Sequence, residues 1–108
     1  MSGRASRSKG KRGEAAARLL LQERDFEVHD LTDGASCADF VAMRAGKTYM
    51  VEVKNTASID VPRFVSQARS NCGRHGRWML FAHLHGTSSW LVMRGDAPPT
   101  VWHAKKPE

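Results

Sequence analysis

The feature that most constrains this chain is a pair of short apolar segments joined by a tight connection. Residues 37–44 and 47–55 are rich in strand-forming residues, and Ala45-Gly46 between them is a two-residue link typical of a β-hairpin. Alternate residues of a strand face opposite sides of a sheet, so Glu52 and Lys54 share one face. The pattern therefore predicts a hairpin that carries a carboxylate and an ammonium group side by side.

Further elements are predicted on both sides of this hairpin from apolar periodicity and turn residues. They are a helix over residues 11–24, a strand over 26–31, a second helix over 61–72, and strands over 77–83 and 87–93. The predicted order is αβββαββ. A mixed sheet flanked by helices in this order indicates an α/β or α+β sandwich.

Composition predicts one folded domain between an N-terminal arm and a C-terminal tail. At 108 residues the chain is too short for two cores. Residues 1–10, rich in Ser, Gly, Arg and Lys, are predicted to form a flexible basic arm, and residues 11–96 a single domain. Because Ala97-Pro98-Pro99 interrupts regular structure, residues 97–108 are predicted to be a tail without further elements.

Positive charge is concentrated in two stretches that contain no acid. The net charge is +6, and neither residues 1–12 nor residues 61–95 contain Asp or Glu. Clustered Lys and Arg suit a phosphate-binding surface, and no base-reading motif accompanies them, so we predict DNA recognition by backbone and shape. The predicted DNA-binding residues are Arg4, Arg7, Lys9, Lys11, Arg12, Arg63, Gln67, Arg69 and Arg74.

No apolar run is long enough for a membrane span, and the polar N-terminus does not resemble a signal peptide. These features predict a cytoplasmic protein without a membrane partner. In that compartment Cys37 and Cys72 are predicted to be reduced.

Carboxylates on the hairpin have the chemistry of a metal-dependent hydrolase. Neighbouring antiparallel strands lie about 4.8 Å apart, so Asp39 and Glu52 can reach one cation if the register places them close together. Mg²⁺ suits such a pair because it takes oxygen ligands and needs only one or two protein carboxylates. Lys54 can then orient or deprotonate an attacking water, and Glu14 of the first helix can supply an outer ligand.

These residues resemble a known set of motifs. Gly13-Glu14, Ala38-Asp39-Phe40-Val41 and Val51-Glu52-Val53-Lys54 resemble the motifs of PD-(D/E)XK nucleases, most closely those of archaeal and phage Holliday-junction resolvases, over about residues 9–93. The resemblance implies an α/β, restriction-endonuclease-like core with a central mixed sheet. It also implies Mg²⁺-dependent hydrolysis of DNA phosphodiester bonds, with Mn²⁺ able to substitute.

The resemblance further implies a role for individual residues. The implied metal ligands are Asp39, Glu52, Glu14 and Val53. Lys54 would assist catalysis, and Ser36 stands where some resolvases place a contributing Ser in the loop before the Asp. Ala38 replaces the Pro of the motif, and Gln67 resembles a Gln that some branches of the superfamily carry after the Glu-x-Lys segment.

Family resemblance fixes the reaction class better than the substrate. It implies a homodimer that resolves four-way junctions, and the apolar residues around Trp90, Val92, Val101 and Trp102 are predicted to form the dimer interface. Two alternatives stay open: a nuclease subunit of a larger restriction, transposition or repair complex, and a non-catalytic DNA-binding module with the same fold.

Overall fold

The computed structural model describes residues 3–31, 38–74, 76–95 and 97–104, with side chains described from residue 10 onward. The chain order has two helices and six strands in this part of the molecule. They are α1 (Gly3–Gln22), β1 (Glu27–His29), β2 (Phe40–Arg44), β3 (Lys47–Lys54), α2 (Val61–Cys72), β4 (Arg77–His83), β5 (Ser89–Arg94) and β6 (Thr100–His103).

The six strands form one mixed sheet in the order β1-β2-β3-β4-β5-β6. Only β3 and β4 are parallel, and α2 connects them, whereas every other neighbouring pair is antiparallel. The predicted hairpin of β2 and β3 is confirmed, with Phe40 opposite Val51 and Arg44 opposite Lys47. The protein is therefore an α/β structure built on a mixed sheet, as predicted.

The tight turn of the hairpin depends on two left-handed residues. Ala45 has a φ of 53° and Gly46 a φ of 76°. Two successive positive φ angles give the turn a twist that matches paired β-strands. The turn sets the register of β2 and β3, and that register in turn places the polar residues at the far end of the hairpin.

Each face of the sheet is covered by one helix. On the first face, Ala17, Leu20 and Leu21 of α1 pack in a cluster with Phe40, Phe81 and other buried sheet residues. On the opposite face, α2 contributes a cluster of its own, which contains Phe64, Ala68, Cys72, Met50, Trp78, Leu80 and Ala82. Alternate residues of β3 therefore pack in two different cores, and the strand lies between the two helices.

Local signals fix α2 much as the sequence predicts. The Asp60 side chain accepts a hydrogen bond from the N–H of Arg63 at 3.2 Å, Pro62 lies in the first turn, and Gly73 with a φ of 58° follows the last residue. The Asp side chain accepts a hydrogen bond from an N–H that has no partner within the helix. Pro has no N–H that would need a partner in the first turn, and Gly tolerates the positive φ at the end of the helix. Cys72 is a buried free cysteine.

The first helix is longer than predicted. It begins at Gly3, whereas composition predicted a start at Lys11 after a flexible arm, so residues 3–10 are helical in the structure. No Pro interrupts this stretch, and Ala, Arg and Lys are good helix formers that offset the cost of Gly10. The flexible arm was predicted from the low apolar content of residues 1–10. Low apolar content alone does not prevent a segment from extending a helix.

The predicted C-terminal tail is corrected by an additional strand. β6 follows the Pro-Pro pair and adds to the edge of the sheet beside β5, with Trp102 opposite Trp90. The ring of Trp102 lies 5.5 Å from that of Phe81 and 6.4 Å from that of Phe26, and the Arg24 guanidinium lies 4.3 Å above it. The element order is therefore αβββαβββ, because residues 100–103 pair and pack once the prolines have turned the chain.

The predicted dimer surface is also corrected. Trp90 is 5% exposed and Val92 is 1% exposed, both within the core cluster under α1, so neither is available to a partner. Of the four residues, only Val101 is largely exposed, at 48%. The sequence shows these residues as apolar but does not show that β6 and α1 enclose them within one chain.

We expect Trp102→Ala to lower the free energy of unfolding by about 2–4 kcal/mol, since it removes aromatic packing from a partly buried site. Urea denaturation followed by far-ultraviolet circular dichroism measures the loss. Val101→Ala is the matched control on the same strand and should cost less than about 1 kcal/mol. Equal losses in the two variants would show that Trp102 does not anchor β6.

Within the described residues, no helix is long and apolar enough to cross a membrane.

Candidate active site

The polar ends of β2 and β3 lie together at one end of the hairpin. Asp39 immediately precedes β2, and its N–H donates to the carbonyl of Val51 at 2.9 Å. In return, the N–H of Val53 donates to Oδ2 of Asp39 at 2.7 Å. The two bonds fix the Asp39 carboxylate against the strand that carries Glu52 and Lys54. The local register therefore brings together the three residues of the hairpin that the sequence predicts to form a site.

Glu52 is a buried charged residue, 6% exposed, in the centre of the sheet. Its Oε1 lies 3.5 Å from Nζ of Lys54, and its Oε2 accepts a hydrogen bond at 3.1 Å from Nδ2 of Asn71. Burying a carboxylate without partners is costly, and these two contacts reduce the cost. Glu52 is thus held between its own strand and α2.

Glu14 reaches the site from α1, on the opposite side of the sheet from α2. It follows Gly13, where an added Cβ would lie 3.0 Å from Cβ of Asn55. The absence of a side chain at residue 13 lets α1 approach the end of β3 closely. The Glu14 and Asp39 carboxyl groups are close enough to influence each other's pKa, and a hydrogen bond can join them when one is protonated. The helix residue and the hairpin residues that the sequence grouped are therefore close together.

The three carboxyl groups hold protons more tightly than isolated ones. Burial is the largest cause of the raised pKa of Glu14, and the charge of Asp39 adds to it. Burial also raises the pKa of Asp39, against the opposing effects of the Val53 N–H and Lys54. The pKa of Glu52 is raised by burial and by the charge of Asp39, although Asn71 and Lys54 lower it. Such a cluster at neutral pH is electrostatically unfavourable unless protons or a cation offset the charges.

Without divalent cations, Glu14→Gln should stabilise the fold at pH 8 and lose this advantage as the pH falls to 4. The raised pKa means that the folded chain binds a proton that the unfolded chain releases, so wild-type stability falls as pH rises above the ordinary pKa of a carboxyl group. Urea denaturation in EDTA at a series of pH values measures the difference. Glu27→Gln, a change at an exposed residue of β1, is the control, and an equal pH dependence in both variants would contradict the expectation.

The donor set fits Mg²⁺ better than an ion that needs a complete protein cage. In the part of the chain described by the structure, no group of three or more His, Cys, Asp or Glu side chains is arranged to hold a metal ion. Asp39 and Glu52 nevertheless provide two carboxylates whose charges interact, and each has lone pairs beyond its protein hydrogen bonds. Mg²⁺ commonly uses one or two carboxylates and completes its octahedron with water and phosphate oxygens.

The remaining predicted site residues have different positions. Val53 takes part through its backbone N–H, which binds Asp39. Ser36 lies outside the described residues, as do the side chains of Arg4, Arg7 and Lys9, whose backbone belongs to α1. The other predicted DNA-binding residues are exposed, Lys11 and Arg12 on α1, and Arg63, Gln67, Arg69 and Arg74 on or just after α2.

Asn71 is a site residue that the sequence analysis missed. It lies on α2 with the buried Phe64 and Ala68 at the helical spacing of seven and three residues, and it is separated from Glu52 by 19 positions. A polar residue on an otherwise apolar helix stripe is the signal that could have identified it. In the structure, the Asn71 side chain donates a hydrogen bond to the buried carboxylate of Glu52.

Asn71→Leu should raise the pKa of Glu52 further and lower the free energy of unfolding at pH 7 by about 1–3 kcal/mol, because a buried acceptor loses its donor. Carbon-13 NMR titration of the Glu carboxyl groups, together with urea denaturation, measures both effects. The neighbouring exposed Ser70→Ala change is the control. An unchanged Glu52 titration in Asn71→Leu would show that the hydrogen bond has no electrostatic role.

Comparison of the sequence with models of known protein families finds no match. Comparison with curated proteins likewise finds none. The function of the chain is therefore inferred from the site itself.

Proposed function

We propose that this protein is a Mg²⁺-dependent DNA endonuclease of the PD-(D/E)XK type with a restriction-endonuclease-like core. The observation that carries the proposal is the convergence of Glu14, Asp39, Glu52 and Lys54 at the end of the hairpin. The pKa of each carboxyl group is raised there, and Lys54 lies beside one of them. Perturbed acids next to a cationic side chain are typical of a catalytic centre.

The chain's own residues can support hydrolysis of a phosphodiester bond. Asp39 and Glu52 would hold Mg²⁺ through their carboxylates. Glu14 would be an outer ligand, and Val53 could contribute only its backbone carbonyl oxygen. When bound, Mg²⁺ would supply Lewis-acid polarisation of the phosphate and Mn²⁺ could replace it. Lys54, which lies 3.5 Å from Oε1 of Glu52, would orient the attacking water and offset negative charge that develops on the phosphate oxygens.

DNA is the substrate that the charge distribution favours. The net charge is +6, although three acids are clustered at the site, so the surplus of positive charge lies elsewhere on the chain. Exposed Lys11 and Arg12 on α1, and Arg63 and Arg74 on or after α2, would supply phosphate contacts on the two helices that cover the sheet. Binding of this kind releases counterions and weakens steeply with salt.

A four-way junction is the DNA structure that we propose as the preferred substrate. Its resolution requires paired cuts in two strands, and each chain has one candidate site, so the active form would be a two-fold homodimer. Since Trp90 and Val92 are interior, the dimer must use another surface. The exposed large apolar residues among those described are Leu19, Met43 and Val101.

A panel of DNA substrates tests the proposal. With Mg²⁺ we expect the four-way junction to be cleaved faster than flap, nicked or linear duplex DNA of equal length. With Ca²⁺, which permits looser coordination and little turnover, the junction should bind at least about tenfold tighter than duplex, with affinity falling between about 50 and 200 mM salt. Light scattering should give a dimer at micromolar concentration.

The outcomes separate the competing functions. Equal affinity for junction and duplex, together with a monomer, would refute junction resolution and leave a general or partner-directed nuclease. Binding without cleavage of any substrate in either Mg²⁺ or Mn²⁺ would refute the nuclease and indicate a DNA-binding module.

A further inference from the structure

A cleft lined by described residues lies away from the carboxylates. It has a volume of about 480 Å³, and its lining includes Lys47, Tyr49, Arg77, Arg94 and Gly95. Lys47 and Glu52 are five residues apart on β3, about 17 Å along a strand, and by alternation they occupy opposite faces of the sheet. The cleft is thus on the α1 face, at the opposite end of β3 from the candidate active site.

Three adjacent strands contribute one cation each to this cleft. Lys47 begins β3, Arg77 begins β4 and Arg94 ends β5. None of the three forms an ion pair with a described residue. Asp96, next to Gly95 in the sequence, lies outside the described residues, and counting its charge still leaves the group positive. Like charges gathered at one cleft favour an anionic ligand, and favour most one with two or more negative charges.

The cleft is built by close backbone contacts rather than by loosely placed side chains. At Gly76, which has a φ of 131°, an added Cβ would lie 2.8 Å from the carbonyl oxygen of Thr48. Only glycine allows β4 to begin this close to β3, and this position sets Arg77 opposite Tyr49. On the other side, the N–H of Gly95 donates to the carbonyl of Trp78 at 3.0 Å. Both ends of the cationic group are therefore fixed.

The aromatic residues of the cleft restrict the ligand further. Tyr49 is 8% exposed and Trp78 is 9% exposed, so neither offers a free ring face on which a base could stack. The Tyr49 hydroxyl makes no hydrogen bond with a described residue and can donate one to an anion. Guanidinium groups bind phosphate oxygens through paired N–H donors. The chemistry of the cleft thus suits phosphate groups rather than bases.

We propose that the cleft formed by Lys47, Tyr49, Arg77 and Arg94 is a phosphate-binding site, separate from the candidate active site. The phosphates would belong to a nucleic-acid strand or to a free nucleotide. The proposal does not depend on the proposed nuclease activity, because the cleft and the carboxylates share no residue.

Nitrogen-15 NMR titration of the full chain with inorganic pyrophosphate tests the site. EDTA is included so that no divalent cation can hold phosphate at the carboxylates. We expect saturable shifts of the Arg77 and Gly95 amide signals. Arg77→Gln with Arg94→Gln should raise the apparent Kd at least about tenfold, the effect of losing charge-assisted hydrogen bonds. Arg18→Gln, on α1 beside the Phe40 end of the hairpin, removes a matched charge far from Lys47 and should change the Kd less than about twofold.

A single Lys47→Gln change at the exposed end of the hairpin tests the site without altering its buried parts. It should raise the apparent Kd about threefold to tenfold while the amide spectrum stays dispersed. An unchanged Kd in both the single and the double variant, or an equal loss in Arg18→Gln, would overturn the proposal.

Competition by ADP and by a short single-stranded oligonucleotide distinguishes the two sources of phosphate. Tighter binding of the oligonucleotide supports the site and assigns it to a nucleic-acid strand, whereas tighter binding of ADP supports it and assigns it to a free nucleotide. Absence of shifts at Arg77 and Gly95 with pyrophosphate, ADP and the oligonucleotide would refute the site.

Discussion

Glu52→Gln is expected to abolish Mg²⁺-dependent DNA cleavage while leaving DNA binding unchanged or tighter. The change removes one of two carboxylates proposed to hold the cation, and it also removes a negative charge that would face the phosphates of the proposed substrate. Single-turnover cleavage of labelled DNA gives the rate, and binding in Ca²⁺ gives the affinity. We expect no detectable cleavage, together with a Kd at or below that of the wild-type chain.

Two controls make the result specific to Glu52. The amide of Gln keeps the shape of the side chain, and its oxygen can still accept the hydrogen bond from Asn71, so the fold should be retained. Glu27→Gln removes the same charge at an exposed residue and should cleave at the wild-type rate. Full cleavage by Glu52→Gln would exclude this residue as a ligand.

Lys54→Met should lower the cleavage rate by about 10²–10⁴-fold with little change in Mg²⁺ affinity. The ammonium group lies 3.5 Å from Oε1 of Glu52, and in the proposed mechanism it acts on the attacking water and the transition state. Met keeps an apolar side chain of similar length and removes only the ammonium group, which lies 5.8 Å from the centroid of the Phe64 ring, so the loss would reflect the charge. Losses of this size are typical of a group that acts in proton transfer or stabilises developing charge.

The cleavage rate and its dependence on Mg²⁺ concentration together distinguish a catalytic role of Lys54 from a structural one. A catalytic role predicts a lower rate at saturating Mg²⁺, with the Mg²⁺ concentration for half-maximal rate unchanged within about threefold. Lys54→Arg keeps the positive charge and should recover part of the rate. A Lys54→Met rate within a few-fold of wild type would make Lys54 a structural partner of Glu52.

The hairpin and α2 could be predicted because their signals are local. Ala45-Gly46 fixes the turn and thus the register, and this register brings Asp39, Glu52 and Lys54 together. Asp60 and Gly73 similarly mark the ends of α2 without reference to the rest of the chain. Much of the candidate site was therefore predictable, since three of the four residues proposed for catalysis belong to one hairpin.

What the sequence did not show depends on contacts between distant elements. β6 forms because Trp102 packs between Arg24 and Phe81, which lie far from it in the chain. The burial of Trp90 follows from the same enclosure, and so an interior residue was predicted to be an interface residue. Asn71 is marked locally as a polar residue on an apolar helix stripe, but its partner Glu52 is determined only when α2 packs on the sheet.

The raised pKa values of the site depend both on local sequence signals and on contacts between distant elements. The sequence placed Glu14 on the side of the helix toward the core, but its approach to Asp39 depends on Gly13 lying against Asn55. Burial then raises the pKa of all three carboxyl groups, which residue spacing alone could not predict.

Cleavage of a four-way junction by the wild-type chain and by Asp39→Asn, prepared and assayed in parallel with Mg²⁺, tests the central claim most directly. Asp25→Asn is the matched control, because Asp25 is exposed and its φ of 66° is tolerated by Asn. We predict that the wild-type chain and Asp25→Asn cut the junction at equal rates and that Asp39→Asn binds it without cutting. Cleavage by Asp39→Asn at the wild-type rate, or no cleavage by the wild-type chain, would contradict the account.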